Sequence, residues 1–179
     1  LSLVDEREKP FPRRMAFYFE GGIEAFVRYL NRNREPLHPV MYIEKLVKDV
    51  GVEVALQYTD AFAESVYCFA NTIHTVDGGT HLTGLRSALT RTVNEHARKV
   101  GRLKDKDQNF SGDDVREGLT AVISIKHPDP QFESQTKVKL MNAEVKWIVE
   151  SVVADALNEF LARESSAARK IADKCRTSA

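Results

Sequence analysis

Between Val145 and Leu161 the apolar residues recur at three- and four-residue spacing: Val145, Ile148, Val149, Val152, Val153, Ala156, Leu157, Phe160 and Leu161. That stripe predicts one long amphipathic helix, with Asn142 as its cap and Glu144 favourably placed near the positive end. A helix with one greasy side must bury it against another element. Two other segments switch to the strand period. Val52, Val54, Leu56 and Tyr58 alternate with Glu53, Ala55 and Gln57. Leu119, Ala121, Ile123 and Ile125 alternate with Thr120, Val122, Ser124 and Lys126. Both read as strands. The two periods together give a mixed α and β chain. Its 179 residues suffice for one domain, or one domain with a helical extension, and a chain of that length buries roughly 70% of its unfolded surface.

The remaining segments follow the same rules. Leu1–Val4 reads as a short strand, "DEREKP" as a turn, and residues 15–20, "MAFYFE", as an aromatic strand stopped by "EGG". Ile23, Phe26, Val27 and Leu30 predict a helix over 23–30, ended by Pro36 and Pro39. Further strands are predicted over 40–47 and 66–73, with a tight turn at Asp49-Val50-Gly51, so the first half reads as an antiparallel meander. Thr80 is the expected cap of a helix whose apolar face holds Leu82, Leu85, Leu89, Thr92, Val93, His96 and Val100. His96 on that face reads as a core histidine. "LKDKDQNFSGDD" reads as a mobile polar loop, followed by a short helix capped by Ser111 or Asp113. "RESSAARKIADKCRTSA" stays helical but carries little apolar surface, so it is expected to leave the core and project outward.

Composition excludes several classes. With 26 basic and 26 acidic residues, any basic site must be a local patch. Two cysteines, Cys68 and Cys175, make no disulfide framework, and a reducing cytosolic compartment is expected. No apolar run reaches the roughly 18 residues of a membrane span, so no membrane partner is expected. The opening "LSLVDEREKPFPRR" has no signal segment and reads as the interior of a longer chain. The sequence has no phosphate-binding GxxxxGK[ST] or GxGxxG, no HExxH and no GxSxG. The pairs Gly21-Gly22 and Gly78-Gly79 read as turns or helix starts, Asp113 and Asp114 as helix-start residues, and no metal site is expected.

Two features remain. The stretch "HPDPQFESQTKVKL", His127–Leu140, is about twice the length of an ordinary connection. Structurally it is a solvated loop with an incidental lysine. Functionally, Lys137 is a point charge for phosphate, Gln135 adds an amide donor, and Pro128 and Pro130 limit flexing. The second feature is the basic stripe Arg91, Arg98 and Arg102 opposite the apolar helix face, with Arg86 at its flank and Lys99 and Lys104 extending it. It reads as a solvated face or as a weak, sequence-independent phosphate contact.

Several long motifs, in order, resemble a known family. "FYFEGGIEAFVRYLNRN", "DGGTHLTGLRSALTR", "DDVREGLTAVISIKHPDPQFESQTKVKL" and "NAEV" closely resemble the transducer domain of the DNA gyrase B subunit, in the type IIA topoisomerases. The resemblance runs from about Arg13 to Ala162. Topoisomerase IV B subunits share the GGTH and QTK elements, but the wording around "VREGLTAVISIKHPDPQFE" looks more like gyrase. Ser134 departs from the glycine common before the Gln-Thr-Lys triplet, and "KIADKCRTSA" fits the family's exit helix only loosely.

The resemblance implies an α+β fold: a two-layer sandwich like domain 2 of ribosomal protein S5, with a left-handed βαβ crossover and a long C-terminal helix. It implies a transducer domain over 1–162, with 163–179 ending the exit helix. It implies an N-terminal ATPase domain in the same chain, a second B subunit, the gyrase A subunit and double-stranded DNA as partners, in the cytoplasm. Lys137 and Gln135 would reach the γ-phosphate of ATP, whose site the ATPase domain completes. Mg²⁺ would belong to the parent enzyme, with no ligand here. Arg86, Arg91, Arg98 and Arg102 are the DNA-contact candidates. On this reading the chain is one part of an ATP-dependent type II topoisomerase and is inactive alone. A standalone S5-like nucleic-acid-binding domain would need a dominant basic surface, and a small-molecule kinase of that superfold would need its own glycine-rich phosphate loop.

Overall fold

The two segments with the strand period lie side by side and antiparallel, with Val54 opposite Ile123 and Leu56 opposite Ala121. The computed structural model describes residues 1–7, 10–104 and 106–178. Among these the elements run β1 (Ser2–Asp5), β2 (Arg13–Ala16), α1 (Gly22–Leu30), β3 (Met41–Val47), β4 (Val50–Tyr58), β5 (Ser65–Ala70), β6 (Ile73–His74), α2 (Thr80–Lys99), α3 (Gly112–Arg116), β7 (Leu119–Lys126), α4 (Ala143–Arg163) and α5 (Ser165–Ser178). β1 and β2 form a separate ribbon; the other strands form one sheet in the order β3-β4-β7-β5-β6.

The expected meander does not form. β7 enters between β4 and β5, antiparallel to the first and parallel to the second, so β5 does not pair with β4. The connection from β5 to β7 carries β6, α2 and α3. A strand in mid-sheet is covered on both faces, which explains why Leu119 through Ile123 are all buried despite their alternation. Val122 and Ala55 point to the side covered by α1, where Val27 joins them with Ile23, Phe26 and Tyr67 around. The opposite face, built on Val52, Val54, Leu56, Ala121 and Ile123, packs under α2 and α4.

Turn positions account for other departures. Val47 pairs with Val50, so the β3–β4 turn is Lys48-Asp49, at φ 48° and 67°, ahead of the predicted Asp49-Val50-Gly51. A second two-residue turn, Asn71-Thr72 at φ 46° and 67°, splits the predicted strand 66–73 into β5 and β6. Both have the left-handed geometry of tight hairpins without the glycine that usually announces it. β2 ends at Ala16, short of the predicted strand over 15–20. The predicted "DEREKP" turn falls partly on Glu8 and Lys9, which lie outside the described residues.

Helix ends and faces complete the comparison. Gly79, not Thr80, caps α2, while Ser111 caps α3 in a capping box with Asp114. Asn142 precedes α4 as expected but makes no side-chain cap bond. α4 buries Val145, Val149, Val152, Val153, Leu157, Phe160 and Leu161, as the stripe predicts. The following segment does not project outward. It breaks at Glu164, turns back as α5, and buries Ala167, Ala168, Ile171, Ala172 and Cys175 against α3 and α4. Alanines at helical spacing make a real but shallow apolar face. His96 is half-buried rather than a core residue; the buried histidines are His38 and His81. Among the described residues no helix is long and apolar enough to cross a membrane.

The α2–α4 contact rests on one glycine. A Cβ at Gly84 would meet the Lys146 carbonyl oxygen at 2.4 Å and the Val149 Cβ at 3.2 Å. Backbone atoms cannot swing away, so we predict that Gly84→Ala forces the helices apart and costs about 1–3 kcal/mol, the range for overpacked sites. Equilibrium denaturation measures it, and an unchanged midpoint would show that the two helices are free to separate at this point.

Candidate functional site

The loop His127–Leu140 folds into a narrow doubled strand. Met141 N–H donates to the Gln131 carbonyl at 2.8 Å and Glu133 N–H to the Lys139 carbonyl at 3.1 Å. Beside them the Lys139 ammonium donates to Glu133 Oε1 at 3.1 Å. The tip is the four-residue turn Ser134–Lys137, closed by Lys137 N–H donating to the Ser134 carbonyl at 3.0 Å. The hydroxyls of Ser134 and Thr136 lie 2.6 Å apart, a local bond that a glycine at 134 could not make.

Lys137 occupies the left-handed region, at φ 55°. For a lysine this costs roughly 1–2 kcal/mol, and such strain concentrates where a side chain must be aimed. Gln135 and Lys137 are both exposed. Among the described residues Lys137 makes no ion pair; its ammonium lies 5.8 Å from the centre of the Phe132 ring. The structure therefore brings both predicted loop residues to one tip, with the charge unspent.

Both legs of the loop are tied to the body. On the outgoing leg, Asn71 Nδ2 donates to the His127 carbonyl and His127 N–H to Asn71 Oδ1, each at 2.8 Å. His127 Nδ1 accepts from Asp129 N–H, which leaves Nε2 to donate to Glu144 at 3.0 Å. Asn142 spends its side-chain oxygen here rather than on its helix's N–H groups, accepting from Gln131 N–H at 2.7 Å, while its amide donates to the Asp129 carbonyl at 3.2 Å and to Glu144 Oε1 at 3.0 Å. Glu144 is held below the ordinary carboxyl range by its own backbone N–H and then by Asn142. On the returning leg, Asp77 N–H donates to the Val138 carbonyl at 2.9 Å, Leu140 N–H to Gly78 and Thr80 N–H to Leu140, both at 3.0 Å. Gly79, at φ 133°, makes room: a Cβ there would stand 2.2 Å from the Leu140 carbonyl oxygen. The sequence alone does not single out Asn71, His127 or Asn142 for this site. Nothing in their spacing marks them, since each acts across the fold; Gly78-Gly79 is visible, but as a helix start.

The predicted arginines divide. Arg86, Arg91 and Arg98 rim one open depression of about 710 Å³, with Asn94, Arg116 and Glu150. Arg102 lies apart, 3.5 Å from Asp173. All are engaged internally: Arg86 holds Glu64 with two bonds of 3.1 and 2.9 Å, and Arg91 holds Glu150 at 2.7 Å. Arg98 binds Asn109 Oδ1 and the carbonyls of Lys104 and Asp107. No group of three or more His, Cys, Asp or Glu able to hold a metal occurs among the described residues.

Known proteins share both the sequence and the overall fold. A family model, DNA gyrase B, matches residues 22–179. The chain belongs to the DNA gyrase B family. The DNA gyrase B protein of Bacillus mycoides is 49% identical over 176 residues, covering 97% of this chain and 43% of its own. That of Synechocystis sp. is 51% identical over 160 residues, covering 88% and 15%. Among solved structures, the 43K ATPase domain of Thermus thermophilus gyrase B in complex with an aminocoumarin superposes with TM-score 0.86 at 35% identity, over 100% of this chain and 48% of that one. A topoisomerase IV ATP-binding domain of Francisella tularensis superposes with TM-score 0.79 at 25% identity, over 94% and 45%. The chain thus spans less than half the length of each of these gyrase and topoisomerase relatives.

Burial behind the loop makes the fold acid-sensitive. His81 is fully buried, and desolvation lowers its pKa from the ordinary 6.5 to about 4. Above pH 6.5 folded and unfolded chains are both neutral at this residue. As pH falls from 6.5 towards 4, the unfolded chain takes up a proton that the folded chain refuses, so stability is lost. The loss from His81 is at most about 3 kcal/mol. His38, lowered first by desolvation, adds a slope of the same sign. We predict that His81→Gln flattens this part of the pH–stability curve in denaturation experiments; an unchanged slope would place the titrating group elsewhere.

Proposed function

We propose that residues 1–162 are the transducer domain of the ATPase subunit of a bacterial-type DNA gyrase, with 163–179, including α5, ending its C-terminal exit helix. The observation that carries this is Lys137: an unpaired charge on an exposed, backbone-strained tip with a hydrogen-bonded stem, in a chain of the gyrase B family. The parallel pair β5 and β7, joined through α2, supports the βαβ crossover of an S5-like fold, whose left-handed sense is carried over from the family resemblance alone. The family match and the identities near one half favour gyrase over topoisomerase IV.

On this reading the nucleotide pocket belongs to an N-terminal ATPase domain of the same subunit, and Mg²⁺ accompanies the nucleotide there. Lys137 reaches out of its own domain to the γ-phosphate of ATP, with Gln135 as a neutral donor beside it. A preformed loop matters because the ammonium must meet charge that develops on the phosphoryl oxygens without first reorganising. ADP lacks the γ-phosphate and offers the tip nothing, so the docked arrangement reports ATP. Moving a two-state arrangement from 1:99 to 99:1 takes about 5.5 kcal/mol of differential binding, more than one lysine supplies. Gln135 and closure of the ATPase domain share it. Because the returning leg hangs from the start of α2 and the outgoing leg from Asn142 before α4, displacement of the tip bears on both helices. Those helices carry it towards strand passage and supercoiling in a cytoplasmic assembly with a second B subunit, the gyrase A subunit and double-stranded DNA. The chain alone, lacking the nucleotide pocket and the cleavage site, is inactive.

For a full-length subunit of this sequence, we predict that Lys137→Ala lowers ATP turnover roughly 100- to 1,000-fold, the usual loss on deleting one preorganised transition-state donor. Its unfolding temperature should stay within a few degrees of wild type, since the exposed side chain leaves no cavity. Wild-type turnover in this variant would overturn the proposal.

A second prediction concerns DNA. Contact through Arg86, Arg91, Arg98 and Arg102 should be weak and indifferent to sequence, with a salt slope of about −0.9 per phosphate neutralised. Titration of the chain with duplexes at several salt concentrations measures this. Tight binding at physiological salt, or affinity untouched by joint Arg91, Arg98 and Arg102→Ala changes, would locate the contact elsewhere.

A further inference from the structure

We propose that His81 is a positioning residue for the Gln-Thr-Lys loop: through Thr75 it fixes the turn from which the loop's returning leg is hung. The inference rests on the docking of Lys137 proposed above, but its first observable does not.

His81 is the second residue of α2 and is 0% exposed. Its Nε2 lies 3.1 Å from Thr75 Oγ1. That hydroxyl has one hydrogen and donates it to the Cys68 carbonyl, also at 3.1 Å. Nε2 is therefore the donor, His81 is neutral with its proton on Nε2, and the bond has a fixed direction. Thr75 N–H donates to the same Cys68 carbonyl at 2.9 Å, and the Thr75 carbonyl accepts from Gly78 N–H at 2.9 Å. The turn Thr75–Gly78 is thus pinned to β5 on one side and to α2 on the other.

The groups this turn presents outward are the ones the loop uses. Asp77 N–H takes the carbonyl of Val138, the residue next to Lys137, while the Gly78 carbonyl and Thr80 N–H take the two ends of Leu140. A rotation at Thr75 would be passed to Lys137 through two bonded residues. Packing alone does not account for a histidine here. Its Nδ1 has no partner among the described residues, nor has the neighbouring Thr80 Oγ1. An unmatched buried polar atom is destabilising, and an apolar side chain of similar volume would avoid that cost. The directional bond to Thr75 is what the histidine adds.

The experiment compares His81→Leu, His81→Gln and Thr75→Val with wild type in a full-length subunit, with Lys137→Ala run in parallel. Hydrogen exchange is read at the amides of Asp77, Thr80 and Leu140, the three donors that join turn and loop. In His81→Leu and Thr75→Val these should exchange at least about tenfold faster relative to amides of β4 and β7, because local opening is released without global unfolding. ATP turnover should fall about ten- to a hundredfold in kcat with KM little changed, the signature of a misplaced transition-state contact. Gln can donate from a comparable position, so His81→Gln should recover most of both effects. A uniform rise in exchange across the whole chain, or unchanged exchange at the three amides in both Thr75→Val and His81→Leu, would overturn the positioning role. If the three amides respond while Lys137→Ala turns over ATP at the wild-type rate, the clamp stands and the phosphate reading fails.

Discussion

The backbone of Leu140 passes Gly78 and Gly79 at a distance no side chain at 79 would permit. Much of the molecule converges on that crossing. Leu140 N–H donates to the Gly78 carbonyl and the Leu140 carbonyl accepts from Thr80 N–H, Leu140 itself is fully buried, and α2 starts at the same point. Two residues beyond Leu140, Asn142 gathers the outgoing leg and opens α4. A loop, two helices and the edge of a sheet are thereby indexed to a single contact between main chains, which is stiffer than any contact between side chains.

Charge is distributed with the opposite logic at the arginine depression and at the loop tip. Every predicted arginine already has an internal partner, and the guanidinium side of each ion pair is partly exposed, which limits what such pairs contribute to stability. At the loop tip the lysine has no such partner among the described residues, and its backbone strain is carried by the turn that presents it. Balanced net charge conceals this contrast between arginines in reserve and one lysine held ready.

How far the sequence can be read follows from how local each feature is. The stripe from Val145 to Leu161 and the alternation over Leu119–Lys126 report a periodicity within one element, and both elements appear where their spacing puts them. The turns Lys48-Asp49 and Asn71-Thr72 lack glycine, so the first is placed one residue late, the second goes unmarked, and the strand boundaries slip. The place of β7 depends on segments more than 50 residues apart, such as Val66 and Ala121, and no local pattern encodes it. α5 is misjudged from sequence because an alanine face reads as weakly apolar yet packs closely. At the site, Gln135 and Lys137 are legible as residue types on a long loop. The tie between His127, Asn71 and Asn142 is not, because it exists only after three distant segments meet.

The central position of β7 carries a cost during synthesis. β4 and β5 are completed by residue 70, but the strand that joins them begins at Leu119. At roughly 5–20 residues per second, a ribosome leaves these two strands without their shared neighbour for several seconds. Val54, Leu56 and Cys68, later sealed on the core face, must wait through that interval on unfinished edges. Such edges recruit other strands. The nascent chain's exposure to chaperones and to misassociation is therefore set by the length of one crossover, and lengthening the segment between α2 and α3 would prolong it in proportion.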